Sequence, residues 1–254
     1  MLRQKIGQCK MIRFIRSFLC AFCFCIFGLG GLLIGSAIFP IILLVYKSEK
    51  QRKIFANSIH ISWRFFVWLM CFLRLIKINC PNYKQLKSLR GTVVIANHPS
   101  LIDVVILVSR IPNSICVVKE SLFRNLFVRK VIGKTYLSNT MKPDEFITNG
   151  TDILSKGYNI VIFPEGTRTV PNRAIRLHRG FAYLQIATGA NILPIKIINT
   201  PQILGKKQKW WDIGTKTSVY DIILKPFICL DTKKTSDKRS LAIDITEKAK
   251  AVLF

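Results

Sequence analysis

Thr92-Val93-Val94-Ile95-Ala96-Asn97-His98-Pro99-Ser100-Leu101-Ile102-Asp103 is the stretch on which the reading of this 254-residue chain turns. It opens on a β-branched apolar run, passes through a proline turn and continues into a second apolar run at 104–108, the pattern of a strand, a turn and a helix. On one continuous helix, residues five apart point roughly 140° away from each other, so His98 and Asp103 would not meet. Pro99 removes that obstacle. The residue before a proline is pushed out of the α region, so His98 is expected to be extended at the strand's end, and Ser100 to cap a helix whose first turn carries Asp103. The carboxylate then swings back to the imidazole. An imidazole oriented through one ring nitrogen leaves the other free to take a proton from a hydroxyl or thiol, the base-plus-orienter arrangement of acyl transfer. The same letters also spell a capping box, Ser100-x-x-Asp103, with His98 as a hydrogen-bonded turn residue.

The charge balance narrows the partners. The chain has 39 Lys and Arg against 13 Asp and Glu, a net charge of +26, and half of its residues are apolar. Such a balance calls for an acidic partner. Because the cations are spread along the whole chain among apolar residues, they fit a membrane surface, a phosphorylated substrate or an acidic carrier protein, and not nucleic acid. The eight cysteines lie singly or within apolar runs and read as small buried hydrophobes in a reducing compartment. Cys20-x-x-Cys23 has no second Cys or His pair at ligand spacing, so no metal site is expected.

The N-terminal 16 residues are basic, and residues 17–46 contain no charge at all. About 20 apolar residues suffice to cross a bilayer, and a cleaved signal peptide would have a shorter apolar core ending at a small-residue cleavage site. Glycines 28, 30, 31 and 35 interrupt the segment, Pro40 follows, and Arg and Lys flank both sides. Positive charge on both sides favours two cytoplasmic ends. A re-entrant helical hairpin bent at the glycines and a single tilted span both remain open. A second helical stretch is expected over 54–78, where Trp63, Phe65, Phe66, Trp68 and Phe72 stand among Arg64, Arg74 and Lys77, as in a helix at a membrane interface or in a buried helix of the folded domain.

The remainder alternates. Strands are expected at 92–96, 114–118, 159–163, 192–198 and 219–224, with helices after Ser100, over 121–132, from Pro143 to a cap at Gly157, over 176–188 ending at Gly189, and from Ser236. The fold class is therefore α/β, a largely parallel sheet covered by helices, with membrane-anchoring helices in residues 1–83 and a catalytic domain in 84–254.

A second constellation stands 67 residues beyond His98. Strand residues 159–163 run into Pro164-Glu165-Gly166-Thr167-Arg168. Glycine at a strand's carboxyl end lets backbone approach a ligand, and a guanidinium there can grip a phosphate; the plain alternative is a Pro-Gly turn with a solvated arginine. Gly133-Lys134-Thr135 lacks the earlier glycine of a P-loop, so nucleotide binding of that kind is not expected.

Asn97-His98-Pro99-Ser100-Leu101-Ile102-Asp103 resembles the His-x4-Asp block, and Phe163-Pro164-Glu165-Gly166-Thr167-Arg168 the Phe-Pro-Glu-Gly-Thr-Arg block, of the 1-acyl-sn-glycerol-3-phosphate (lysophosphatidic acid) acyltransferase family. Val118-Lys119-Glu120 is similar to the family's lysine after the next strand, and Leu193-Pro194-Ile195 to its later proline block. Where many members read Gly-x-Ile-Phe-Ile-Asp-Arg, this chain has Gly133-Lys134-Thr135-Tyr136-Leu137-Ser138-Asn139, without the acid and the arginine. The resemblance implies that His98 deprotonates the free hydroxyl of a lysophospholipid while Asp103 holds the imidazole, and that acyl-CoA or acyl carrier protein donates the acyl group. It also implies that Arg168 and Lys119 bind the acceptor phosphate, that Glu165, Gly166 and Thr167 shape that pocket, and that Pro194 borders it. No metal or bound cofactor is required. The implied setting is a bacterial-type inner membrane with the catalytic domain facing the cytoplasm. Another lyso-lipid acceptor (an ornithine lipid, a glycolipid or a specialised polyene lipid) and a non-catalytic membrane scaffold are the competing readings; the intact His98 and Asp103 speak against the scaffold.

Overall fold

The computed structural model describes residues 2–46, 48–118, 137–138, 140–170, 174–230 and 237–254. Lys119 and the helix expected at 121–132 lie outside them. Among the described residues the strands are β1 (Ile76–Asn79), β2 (Val93–Ala96), β3 (Ser114–Val118), β4 (Leu137–Ser138), β5 (Asn159–Ile162), β6 (Ile192–Thr200) and β7 (Ser218–Leu224). They form one sheet in the order β1-β7-β6-β2-β5-β3-β4. Every neighbouring pair is parallel except β6 and β7, which are antiparallel. The sheet is thus mixed at one edge and parallel through the middle.

β2 and β5 are buried at every position, which is why they read as unbroken apolar runs instead of alternating ones. Successive residues of β2 feed opposite faces. Val94 and Ala96 pack with helices α1 (Leu2–Leu33), α3 (Ser48–Phe72) and α5 (Asp103–Arg110), whereas Val93 and Ile95 pack with α6 (Pro143–Ser155), α7 (Gly180–Thr188) and α8 (Lys238–Leu253). Two short helices, α2 (Phe39–Val45) and α4 (Tyr83–Ser88), complete the described elements. α6 and α7 approach so closely that a β-carbon on Gly150 would stand 2.6 Å from Leu184 Cδ1, so a side chain here would force the buried Leu184 to move.

Three expectations are corrected. The helix expected over 54–78 is α3, which begins and ends earlier, and β1 follows it. Arg74 adopts a left-handed conformation (φ 54°), its N–H bonds Cys71 O at 3.0 Å and Leu75 N–H bonds Met70 O at 2.9 Å. This is the double hydrogen bond of a glycine-type helix end made without glycine, so the usual signal was missing. Ile76 and Ile78 then alternate with Lys77 and Asn79 at the strand period of two, and β1 pairs with β7, so the sheet begins before the expected boundary at residue 84. The helix expected from Arg176 starts only at Gly180, though it does end at Gly189, which takes φ 70°.

The third correction concerns the glycines of the apolar segment, where no hairpin bend forms. α1 runs through them into a single wide turn at Ile34–Ile38, in which Phe39 N–H reaches back to Ile34 O, and α2 continues. Glycine in a helix interior costs only about 1 kcal/mol relative to alanine. The wide turn lies just before Pro40, which has no N–H to give to the regular ladder. α3 instead packs back along α1 and α2, so that Phe39 meets Phe55 (centroids 4.3 Å apart) and Phe27 meets Phe66 (4.6 Å).

Candidate active site

His98 stands just past the carboxyl end of β2, the central strand, and the turn after it delivers Asp103 as the first residue of α5. The helix therefore starts at Asp103 and not directly after Ser100, because residues 101–102 form a turn. The expected closure is present: His98 Nδ1 lies 2.8 Å from Asp103 Oδ2. The same oxygen accepts Ser100 N–H at 2.6 Å, and Ser100 Oγ donates to the other carboxylate oxygen. Only half of the expected capping box forms: the carboxylate takes the Ser100 N–H and the imidazole together, but Ser100 Oγ gives its proton to that carboxylate and does not cap the helix, whose N-cap residue is Ile102 with no side-chain cap.

Asp103 is fully buried, while the His98 side chain keeps 19% of its surface. Burial pushes the Asp103 carboxyl above the ordinary range, and the hydrogen bonds and positive partner supplied by His98, followed by those of Ser100, pull it back. With Nδ1–H turned to the carboxylate, Nε2 is left as the imidazole's acceptor. The Phe163 ring packs against the imidazole at 4.4 Å between centroids, tilted by 33°.

The Phe163–Arg168 turn sits at the carboxyl end of β5, beside β2 in the sheet, so tertiary structure brings the two blocks together. Glu165 Oε1 accepts the His98 N–H at 3.1 Å and the Thr169 hydroxyl at 2.5 Å. Thr169 Oγ1 lies 3.0 Å from the same N–H, and Thr169 N–H donates to His98 O at 2.7 Å. Glu165 therefore grips the backbone of His98, and burial, opposed by the Thr169 hydroxyl, raises its carboxyl above the usual value. Gly166 takes φ 64°, and a β-carbon there would stand 3.1 Å from His178 Nε2, so both conformation and space favour glycine. Thr167 is half-buried on the same turn.

Arg168 reaches the 201–217 connection between β6 and β7, where its Nη1 donates to Leu204 O and Gly205 O, both at 3.0 Å. That connection is tied to the histidine turn as well, through Leu101 N–H to Leu204 O (3.0 Å) and Gln202 Nε2 to Pro99 O (3.2 Å). Its far end docks on α1: Arg13 forms an ion pair with Asp212, and Phe24 meets Trp210 at 5.5 Å.

Pro194 is not brought to this cluster. It is buried inside β6 in register with Ile95, and His98 stands three residues nearer the crevice along β2. Asn97 and Thr169 had no role assigned from sequence. Asn97 extends the β2–β6 ladder with its side chain, giving Nδ2–H to Ile197 O at 2.8 Å and taking Ile197 N–H at 2.7 Å. The Asn-His pair at a strand end was the available signal for Asn97. Thr169 lies one residue beyond the recognised block, and only the fold reveals its hydrogen bonds.

Residues 77–198 match the family model described as Acyltransferase. A 1-acyl-sn-glycerol-3-phosphate acyltransferase of Cocos nucifera is 25% identical over 148 residues, which are 56% of this chain and 46% of that protein. The human 1-acyl-sn-glycerol-3-phosphate acyltransferase beta is 24% identical over 144 residues, 53% of this chain and 51% of that protein. The chain is thus matched to about half the length of these curated relatives. The crystal structure of the 1-acyl-sn-glycerophosphate acyltransferase PlsC from Thermotoga maritima superposes with a TM-score of 0.70 over 95% of this chain and 97% of that one, at 18% identity, and so shares the fold.

Proposed function

We propose that the protein is a membrane-bound O-acyltransferase that moves an acyl chain from acyl-CoA or acyl carrier protein to the free hydroxyl of 1-acyl-sn-glycerol-3-phosphate, a reading supported by the match of residues 77–198 to the family model described as Acyltransferase. The single observation that carries this reading is the 2.8 Å contact between His98 Nδ1 and Asp103 at the carboxyl end of the central strand, where ligands of open α/β sheets sit. His98 Nε2 takes the proton of the acceptor hydroxyl as its oxygen attacks the thioester carbonyl. The C–S bond breaks, and the departing thiolate takes the proton from the imidazolium. Asp103 holds the tautomer and stabilises the charged ring.

Residues 7–45 form the one helical stretch among the described residues that is long and apolar enough to cross a membrane. We read it as lying on one leaflet, with the catalytic domain on the cytoplasmic side of a bacterial-type inner membrane. Arg13 near its start is paired with Asp212, while beyond its end Arg52 pairs with Asp152 of α6 and Glu49 with Lys156 just past the end of α6. A helix tied to one domain at both ends cannot cross a bilayer with those pairs intact. Its apolar residues, Leu29, Leu32, Leu33, Ile41 and Leu44 among them, face outward with Phe65, Trp68 and Phe72 of α3, the composition of an interfacial element.

Incubating membranes that contain the protein with labelled acyl thioesters and a panel of lyso-acceptors, with product identification by mass spectrometry, tests the proposal. Phosphatidic acid formed from the lysophosphatidic acceptor is expected. A product from an ornithine-lipid or glycolipid acceptor alone would move the activity to a related acyltransferase, and no product from any acceptor would leave a scaffold.

A further inference from the structure

A cavity opens between the approach to α7 and α8. It occupies about 430 Å³ between residues 175–179 and α8, and Arg176, His178, Arg179, Ile243, Glu247 and Lys250 line it. Arg176 and Arg179 are exposed and Lys250 is half-buried. Among the described residues no hydrogen bond or ion pair engages these three cationic side chains, and Glu247 is the only carboxylate on the wall.

The backbone adds to the same potential. α7 begins here with Arg179 as its N-cap residue, without a side-chain cap and without an acidic residue in its first turn, so the positive end of the helix is left uncompensated. β5 and β6 are both parallel to β2, so α7, which connects them, returns against the strands and starts at the edge where His98 lies. His178 joins cavity and site: its N–H donates to Pro164 O at 2.8 Å, and its ring lies beside Gly166 in the turn that holds His98. Cations on a solvated face would be unremarked on a chain of this charge. These line one hollow, at an uncapped helix N-terminus, and its wall residue His178 touches the turn that carries Glu165 and Gly166.

We propose that this cavity binds the phosphate-bearing nucleotide end of an acyl-CoA donor, with the pantetheine arm passing the Gly166 turn toward His98. The proposal rests on the acyl-transfer reading and names the donor within it. A diphosphate with a further phosphomonoester matches three cations and free backbone N–H groups, and the volume lies in the range of ligand pockets.

The test uses the full chain in detergent micelles and compares wild type with Arg176→Ala, Lys250→Ala and the double variant. CoA binding is measured by calorimetry, and Michaelis constants are measured for acyl-CoA, for the acyl-pantetheine thioester that lacks the nucleotide, and for the acceptor. Each single variant is expected to weaken CoA binding about 10-fold to 100-fold. It is also expected to raise the Michaelis constant for acyl-CoA by a similar factor, with kcat, acceptor affinity and the acyl-pantetheine constant unchanged. Undiminished CoA binding in the double variant, or an equal loss with acyl-pantetheine, would overturn the proposal. A defect confined to acyl carrier protein thioesters would also overturn it and give the surface to the carrier. Should wild type acylate no acceptor, weakened CoA binding in the variants would still support the site while the acyl-transfer reading failed.

Discussion

Glu165 accepts the backbone N–H of His98 at 3.1 Å, so the acid of the second block holds the base of the first from behind. The relationship makes Glu165 a positioning residue, and its loss should appear in the chemical step. Glu165→Ala leaves the His98 N–H with Thr169 alone and should lower kcat by about 10-fold to 100-fold with the acceptor Michaelis constant nearly unchanged. Glu165→Gln keeps an acceptor oxygen and should recover most of the rate. Steady-state kinetics that placed the whole effect on acceptor affinity would instead put Glu165 in contact with substrate.

His98→Ala should reduce turnover by about 10² to 10⁴-fold in a folded protein. It should also change stability in a pH-dependent direction. Burial raises the Asp103 carboxyl, so its contribution favours folding most below the ordinary carboxyl value near 3.9 and declines as pH rises through the folded value. Removing His98 removes groups that hold that value down. The variant's stability deficit should therefore widen between pH 4 and pH 7 in denaturant titrations, and a deficit independent of pH would contradict the coupling.

Arg168 holds the 201–217 connection through Leu204 O and Gly205 O while it is proposed to meet the acceptor phosphate with the rest of its fork. Arg168→Ala should cut kcat/KM for lysophosphatidic acid by roughly 10² to 10⁴-fold. Because the loop clamp is lost too, a smaller loss should remain with a monoacylglycerol acceptor that carries no phosphate, and proteolysis within the connection should speed up. Full activity on the phosphate-free acceptor would show that the clamp has no part in turnover.

Single cysteines placed before Ser17 and after Tyr46 should be labelled from the same side of a sealed vesicle, and the intact protein should stay on vesicles in molar salt. Phe65→Ser, Trp68→Ser and Phe72→Ser together should lower vesicle partitioning by roughly tenfold or more, since a buried large apolar side chain contributes about 1.5 to 3 kcal/mol. Labelling from opposite faces would establish a span.

What the sequence determined by itself was local. The β-branched runs specified β2, β3, β5, β6 and β7, and Pro99 specified that His98 and Asp103 meet, because period and backbone restriction act over a few residues. Gly189 marked a helix end for the same reason, whereas the end of α3 escaped notice because Arg74 takes the left-handed conformation without a glycine. Tertiary structure alone decided what lies far apart in the chain. The antiparallel β6–β7 pair, the placement of β1, the burial of Pro194, the grip of Glu165 and Thr169 on His98 and the engagement of Arg168 with Leu204 all join residues tens of positions apart or depend on a packed interior. Hydrogen-bonding partners of that kind are set by which strands become neighbours, a choice made by burying both faces of the whole sheet at once, and no short stretch of sequence carries it.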